Sequence, residues 1–248
     1  MIRRFLTALS ALSIAALPAF AVDLSKMTDD ERTAFGDAVR EYLLENPQVI
    51  MDAVAVLEER QAKAQASADQ TLVSDNAADL FEDGYSFVGG NPNGDITLVE
   101  FLDYRCGFCR RAHPEVARLL QADGNIKLVV KEFPILGDQS VLASRFAIAT
   151  KQVAGNDAYK LVSDALIEFP GEITMPALSR IASTLGLDAD AIGDAMSSAD
   201  VSDEIRRTRA LAQRLRITGT PTFVLQDELL RGFLPFDQMQ ALVNEKRG

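Results

Sequence analysis

Residues 96–111 read ITLVEFLDYRCGFCRR, and this stretch decides the fold. Residues 96–102 form a short, mostly apolar run of the kind found in buried strands. A helical pattern opens at Cys106 and lasts to about Gln121, and residues 126–133 (IKLVVKEF) predict a second strand. The core of the chain is therefore expected to contain a β-α-β unit, with the CGFC motif where the first strand meets the helix.

Three further segments complete the predicted order of elements. Helical patterns dominate residues 139–215. Two short strands joined by a tight turn at Asp227-Glu228 follow at residues 221–226 and 229–232, and a last helix is expected at 235–246. The glycine- and asparagine-rich residues 88–95 predict a turn into the first strand. The resulting order predicts an α/β fold with a helical insertion.

The first 21 residues have the organisation of a secretory signal peptide. Arg3 and Arg4 precede an uncharged apolar run at residues 5–17, and Ala19-Phe20-Ala21 provides an A-x-A cleavage site. A membrane anchor is the alternative, but a spanning helix needs about 20 apolar residues and this run is shorter. We therefore expect residues 1–21 to be removed and the mature protein to be periplasmic.

Residues 22–75 predict a helical arm in front of the main domain. Thr28 and Glu31 have the spacing of a capping box, and apolar residues recur at helical spacing on both sides of a break at Asn46-Pro47. The apolar stripe of such an arm needs a packing partner. Both the main domain and the same arm of another subunit are open as that partner. The main domain is expected to span residues 76–248, with its helical insertion at about 138–200.

The composition excludes several classes of function. The chain has 248 residues, of which 48% are apolar and 25% charged, which is ordinary for a protein with a buried core. Its net charge of −11 argues against nucleic acid as a partner, because phosphates require basic patches. Two cysteines cannot build a disulfide scaffold, and the single His113 cannot form a multi-histidine metal centre.

Cys106 and Cys109 carry the clearest chemistry in the sequence. Three residues apart on a helical turn, they share a face and can come within disulfide-bonding range. Cys106 lies at the start of the helix, where free N–H groups and the helix dipole favour a thiolate. Cys109 lies one turn inside, so we expect Cys106 to attack a substrate and Cys109 to resolve the mixed disulfide. A soft metal site formed by both cysteines and His113, for example for Cu(I), is the alternative.

Two segments carry a resemblance to a known family. Residues 101–111, with the CGFC motif, and the Thr-Pro-Thr-Phe sequence at 220–223 resemble the DsbA-like branch of the thioredoxin superfamily. The resemblance implies an α/β thioredoxin fold with an inserted helical domain, here preceded by the N-terminal helical arm. It also implies a cis peptide bond before Pro221, with the backbone of Thr220 offered to a substrate strand. The substrate-binding residues that it implies are Thr220, Pro221, Gly107 and Phe108.

The same resemblance implies a catalytic role for Glu100. The family carries a buried acid beneath the second cysteine, and Glu100 lies at that position, six residues before Cys106. Burial raises the pKa of a carboxyl, which suits proton exchange with Cys109. The alternative is a strand alternation that leaves Glu100 on a solvated face. Lys131 on the neighbouring strand is expected to be its cationic neighbour.

The arm sequence at residues 42–47 (YLLENP) and the Thr220-Pro221 pair are most similar to the ScsC group of this family, the suppressor of copper sensitivity proteins. Some members of that group trimerise through such an arm and act as disulfide isomerases, whereas others are monomeric. The resemblance implies an isomerase or reductase of misfolded secreted proteins, recycled by a membrane redox partner, that associates through residues 28–70 and needs no bound cofactor. A DsbA-like oxidase and a copper-binding protein that uses the same cysteines are the alternatives.

Overall fold

A computed structural model of the protein describes residues 26–248. The predicted signal peptide and its cleavage site lie outside the described residues. The chain divides into two compact units, of which the first ends at Glu59 and the second begins at Arg60.

The second unit is built around a five-stranded mixed sheet. The strands are β1 (Phe87–Gly90), β2 (Ile96–Leu102), β3 (Ile126–Glu132), β4 (Thr222–Leu225) and β5 (Glu228–Arg231), in the spatial order β1-β3-β2-β4-β5. Strands β2 and β3 are parallel, and the other neighbours are antiparallel. Helix α4 (Gly107–Asp123) connects β2 to β3, which confirms the predicted β-α-β unit.

The prediction that residues 88–95 form a turn was wrong for residues 88–90, which belong to β1 and pair with β3. At Gly90 the φ angle is +64°, and a Cβ atom would lie 2.4 Å from the carbonyl oxygen of Ile126. Only glycine fits this close backbone approach. Glycine content alone does not separate such a strand from a loop, which is why the sequence pattern misled.

The segment between β3 and β4 contains four helices joined by short loops. They are α5 (Asp138–Glu168), α6 (Met175–Thr184), α7 (Ala189–Ala195) and α8 (Ala199–Arg214). A last helix, α9 (Phe236–Arg247), follows β5. The turn between β4 and β5 lies at Gln226-Asp227, one residue earlier than predicted. The α/β thioredoxin fold with an inserted helical domain is thus confirmed, while the exact domain boundaries remain predictions.

The two faces of the sheet bury different side chains, because neighbours along a strand point to opposite sides. Helix α4 packs on one side, and α8, with Val73 and Leu80, packs on the other. We call the first side the α4 face, with Leu98, Glu100, Leu102, Leu128, Val130 and Glu132. The second is the α8 face, with Val99, Phe101, Val129 and Lys131.

The described part of the first unit is helical. Its elements are α1 (Asp29–Glu45) and the start of α2 (Gln48–Asp75), and the short α3 (Ala77–Phe81) follows in the second unit. The predicted capping box is present, since Thr28 accepts from the Glu31 N–H and Glu31 accepts from the Thr28 N–H. No side chain of α1 is buried, and Leu44 is 66% exposed. The helical arm expected from the sequence is therefore confirmed.

Among the helices of residues 26–248, none is both long enough and apolar enough to cross a bilayer.

Candidate active site

The turn between β2 and α4 is fixed by the buried carboxylate of Asp103. One carboxylate oxygen accepts the Arg105 N–H at 2.8 Å, and the other accepts the N–H groups of Ile135 and Leu136 at 2.8 and 3.1 Å. Asp103 therefore ties the start of α4 to the loop that follows β3. Sequence reasoning missed this residue, although an Asp at the end of a strand that accepts from the residue two positions on is a common turn signal.

Cys106 is the N-cap residue of α4, where its backbone is extended. Its Sγ atom donates to the carbonyl oxygen of Thr220 at 3.1 Å. Cys109 lies one turn inside the helix and is fully buried. Burial, together with the nearby Glu100 and Cys106 side chains, raises the pKa of the Cys109 thiol well above its usual range. Both cysteines are free thiols in this structure.

The Thr220 carbonyl lies directly against Cys106, and Pro221 follows it in the chain. The Thr220-Pro221 peptide bond is cis, as the family resemblance implied. Pro221 is buried, Thr220 is half-buried, and the Thr222 hydroxyl donates to the Gly219 carbonyl at 2.8 Å. The structure thus brings together segments that are 114 residues apart in the sequence.

The two residues between the cysteines, Gly107 and Phe108, form the exposed rim of the site. Phe108 is 56% exposed, and Gly107 beside it is exposed as well. The guanidinium of Arg111 lies 5.5 Å from the ring centre of Phe108 and 4.7 Å from that of Phe233. An aromatic side chain thus remains open to solvent next to the dithiol, within the range of cation–π attraction from an arginine.

Two arginines at the start of the dithiol helix bond to the end of α5 and to the loop that follows it. Arg110 donates to the Ile167 carbonyl at 2.8 Å, and Arg105 donates to the Gly171 carbonyl at 2.9 Å. Sequence reasoning missed both contacts, because the acceptors are backbone groups of a distant segment that no motif marks.

Glu100 lies on the α4 face and is only 5% exposed. Burial raises the pKa of its carboxyl to about 7, the Glu132 carboxyl adds to this effect, and His113 opposes it. The alternative of a solvated face for Glu100 is therefore wrong for this structure.

The expectation that Lys131 is the cationic neighbour of Glu100 was also wrong. In the register of β2 and β3, Glu100 pairs with Val130 and Lys131 pairs with Phe101, so the two charged side chains point to opposite faces. The Lys131 ammonium is fully buried 2.5 Å from the Asp83 carboxylate and also donates to the Asp79 carbonyl at 2.6 Å. The sequence places Glu100 and Lys131 on adjacent strands, but the strand register, which decides the face of each side chain, does not follow from the sequence.

Glu132 is a second buried carboxyl on the α4 face that sequence reasoning missed. It accepts the hydroxyl groups of Tyr104 at 2.7 Å, Tyr159 at 2.6 Å and Ser144 at 2.7 Å. Burial raises its pKa to about 7, although these three donors act in the opposite direction. Its oxygens are thus fully used by hydroxyl donors, in contrast to those of Glu100.

His113 lies in the second turn of α4, and its Nε2 atom is 3.2 Å from a carboxylate oxygen of Asp164 on α5. Within residues 26–248, no group of three or more His, Cys, Asp or Glu side chains has the arrangement of a metal site. The contact with Asp164 gives the His113 imidazole a carboxylate partner on α5.

The geometry defines a class of protein. A thioredoxin-type sheet presents a dithiol at a helix start. The first cysteine is 8% exposed and lies against a cis-proline segment, and the second is fully buried near an acid. This is the architecture of a thiol–disulfide oxidoreductase.

The comparison with known families agrees with this class. Residues 97–244 match the family described as DSBA-like thioredoxin domain, and since this is more than half of the chain, the protein belongs to that family. Residues 31–64 match the copper resistance protein ScsC N-terminal domain, so the similarity to the ScsC group is confirmed.

Solved structures with similar folds include a thioredoxin-like oxidoreductase from Silicibacter pomeroyi, which is 41% identical, with a TM-score of 0.64 over 68% of this chain and 96% of that one. BcfH from Salmonella enterica Typhimurium is 27% identical, with a TM-score of 0.72 over 88% of this chain and 97% of that one. A curated relative, the Na(+)/H(+) antiporter NhaA 3 of Salinispora tropica, is 27% identical over 63% of this chain. The chain spans only 24% of the length of that antiporter.

Proposed function

We propose that this protein is an exported, periplasmic disulfide isomerase or reductase that acts on misfolded secreted proteins. The observation that carries the proposal is the placement of the Cys106 Sγ atom 3.1 Å from the Thr220 carbonyl at the start of α4, where Cys106 keeps 8% exposure while Cys109, one turn further inside, is fully buried. An outer thiol beside a free backbone edge suits attack on a disulfide of an extended substrate segment.

The proposed reaction is thiol–disulfide exchange. The Cys106 thiolate attacks one sulfur of a substrate disulfide, forms a mixed disulfide and releases the other substrate sulfur as a thiolate. Either a substrate thiol then displaces Cys106, which isomerises the substrate, or Cys109 does so. In the second case Cys109 gives its proton to Glu100, the Cys106–Cys109 bond forms, and the substrate is reduced to two thiols while the protein dithiol is oxidised.

The surface around the dithiol supports an unfolded polypeptide as the substrate. Phe108, Ile135 and Leu136 are exposed apolar side chains, and Asp103 holds the loop with Ile135 and Leu136 beside the start of α4. Unfolded proteins expose apolar segments that such side chains can contact. Thr220, Pro221, Gly107 and Phe108 are accordingly proposed as the substrate-binding residues.

The arm supports a proposal of self-association. Phe35, Val39 and Tyr42 share one side of α1, and all three are exposed. The match of residues 31–64 to the ScsC N-terminal domain points to the same role. Several dithiols held in one assembly act on one substrate at a high effective concentration, which favours isomerisation. Reoxidation or reduction by a membrane redox partner is part of this proposal.

Refolding of a scrambled, disulfide-bonded protein tests the activity. The reduced full-length protein is expected to restore the native activity of the scrambled substrate, and Cys106→Ala is expected to abolish this effect. Equal restoration by the Cys106→Ala variant would disprove the assignment. Fast oxidation of a reduced substrate by the oxidised protein, without rescue of the scrambled one, would instead identify an oxidase.

Light scattering on the full-length protein tests the self-association. Val39→Glu combined with Tyr42→Glu is expected to reduce the molar mass to that of a monomer, because the charges disrupt a shared apolar face. Arg40→Gln on the same helix, which leaves that face apolar, is the control and should keep the mass of the wild type. A monomeric wild type would refute the proposal.

A further inference from the structure

A small cavity lies between the α4 face of the sheet, helix α4 and helix α5. Its volume is about 40 Å³, and its apolar walls include Phe87, Val116, Leu120 and Leu128. Six polar side chains also line it and can bind water: Glu100, His113, Tyr159, Lys160, Ser163 and Asp164. A polar cavity holds a water molecule when it offers about 10–15 Å³ and two to four polar partners, so this one has room for a small number of waters.

The two ends of the cavity differ in their exposure to solvent. Glu100 forms the inner end and is almost fully buried, and neither a hydrogen bond to its carboxyl nor an ion pair with it is found within residues 26–248. His113 and Asp164 form the outer end, where the side chains are 26% and 35% exposed. The cavity is thus the connection between a buried carboxyl and two side chains that reach the surface.

At the outer end of the cavity, the Asp164 carboxylate contacts both His113 and Lys160. His113 Nε2 lies 3.2 Å from one Asp164 oxygen, and the Lys160 ammonium donates to the same carboxylate at 2.6 Å. Partial burial acts to raise the pKa of Asp164, but the contacts with His113 and Lys160 outweigh it and hold the pKa below its ordinary value. The ionised Asp164 thus holds the imidazole of His113 in a fixed orientation beside the cavity.

The exchange reaction requires a route for protons. Cys109 has to lose a proton each time it attacks the mixed disulfide and regain one when the disulfide is reduced. Glu100 can take only one proton, and it lies too deep to exchange it with bulk water directly. An acid–base group between Glu100 and the solvent therefore removes a limit on the rate of turnover.

We propose that His113, oriented by Asp164, relays protons between Glu100 and the solvent through this cavity. The inference rests on the proposed role of Glu100 in the exchange reaction. During oxidation of the dithiol, the proton passes from the Cys109 thiol to the Glu100 carboxylate, then by way of the cavity to the His113 imidazole, and from there to water. During reduction of the disulfide it follows the reverse path. His113 acts through Glu100 and does not touch the sulfur atoms.

The charged and titratable groups that surround this path come from all the elements packed against it. They are Cys109 on α4, Glu100 on β2, Glu132 on β3, and Tyr159, Lys160 and Asp164 on α5. Of these, the Tyr159 hydroxyl donates a hydrogen bond to the Glu132 carboxyl at 2.6 Å, and the Lys160 ammonium donates to the Asp164 carboxylate. An imidazole is the side chain that ordinarily changes charge between pH 5 and 8, so it suits the relay position.

The test is a single-turnover measurement on the full-length protein. The mixed disulfide of Cys106 with glutathione is prepared, and the rate at which Cys109 releases glutathione is followed from pH 5 to 9. We expect His113→Ala and His113→Gln to lower this rate about tenfold near pH 7, since the relay is one part of the 10²–10⁴-fold effect typical of acid–base groups. Added imidazole should restore the rate of His113→Ala towards that of the wild type.

Two control variants separate the relay from other effects. Gln121→Ala changes an exposed residue of the same helix and should keep the rate and pH profile of the wild type. Glu100→Gln should lower the rate with no recovery on addition of imidazole, because the inner acceptor itself is missing.

The possible failures are distinguishable. If the wild type shows no exchange at all, the proposed function fails. If the wild type is active and Glu100→Gln is slow, but the His113 variants keep the wild-type rate and pH profile, the relay alone is refuted. A slow His113→Ala variant that imidazole does not restore also refutes it, because a structural defect would explain that result.

Discussion

Both faces of the central sheet bury charged groups, but in different settings. On the α8 face, Lys131 is fully enclosed, and its ammonium contacts the Asp83 carboxylate and the Asp79 carbonyl. On the α4 face, the Glu100 carboxyl borders a cavity and has no hydrogen-bond partner within residues 26–248. The two groups are neighbours across adjacent strands, yet one is paired and the other is not.

The difference separates a structural charge from a chemical one. Burial acts to raise the pKa of Asp83, but the Lys131 ammonium and the Ser86 donors outweigh it and keep the pKa below its ordinary value, so this carboxyl stays ionised. At Glu100, burial prevails and raises the pKa to about 7. A group that gains and loses its proton near neutral pH beside the dithiol can serve in turnover, whereas a permanently paired ion can only hold the fold together.

Lys131→Met should give the largest effect on stability. Its removal leaves the buried Asp83 carboxylate without its counter-ion, which costs about 3–5 kcal/mol in free energy of unfolding. Urea denaturation of the full-length protein at pH 7 measures this loss. Arg206→Met, which breaks the exposed ion pair with Asp203, is the control and should leave the free energy of unfolding nearly unchanged, because exposed ion pairs contribute little. A loss for Lys131→Met no larger than that of the control would remove the distinction between the faces.

Glu100→Gln should change the pH dependence of stability. Folding raises the pKa of Glu100 from 4.5 to about 7. Between these two pH values the Glu100 carboxyl is deprotonated in the unfolded chain but still protonated in the folded one, so the wild type loses stability as the pH rises from 4.5 to about 7. The variant lacks this loss and should be about 3 kcal/mol more stable than the wild type at pH 8, and equally stable at pH 4.

Urea denaturation at several pH values checks this result. Glu132 has its pKa shifted in the same direction and remains in the variant, so a smaller decline with pH should persist. Parallel stability curves for the wild type and Glu100→Gln would mean that the Glu100 carboxyl is ionised in the folded protein, as on the opposite face.

Tyr104→Phe should give a smaller loss. It removes a hydroxyl that is bonded to Glu132 at 2.7 Å and to Ser163 at 3.1 Å, which costs about 1–2 kcal/mol in free energy of unfolding. Thermal or urea unfolding at pH 7 measures it. Tyr42→Phe changes an exposed tyrosine of α1 and should have no measurable effect. Equal effects of the two variants would show that the hydroxyl bonds of Glu132 add nothing to stability.

Much of the sheet and the dithiol could be predicted from the sequence. The apolar run of β2 coincides with the strand that forms, and the CGFC and Thr-Pro-Thr-Phe motifs led to Cys106 and Pro221, which are in contact through Thr220. Local patterns and a recognised pair of motifs are sufficient for such features, because each feature depends on residues that are close in sequence or that belong to one of the two motifs.

The remaining features depend on register and on distant contacts. The ion pair of Lys131 with Asp83 depends on the register of β2 and β3 and on the position of the loop at Asp83. Neither can be read from a local sequence pattern. The contact of His113 with Asp164 joins α4 to α5 across a separation of 51 residues, and the cavity beside it depends on how three elements pack. Only the assembled fold brings these groups together.

The most direct test of the central claim is to trap the reaction at its intermediate. The full-length Cys109→Ala variant is incubated with an unfolded protein that contains disulfides, and mass spectrometry locates the bond between the two chains. We predict a stable mixed disulfide through Cys106, and none with Cys106→Ala. An adduct that forms equally well with Cys106→Ala, or the absence of any adduct with Cys109→Ala, would contradict the assignment of Cys106 as the attacking thiol.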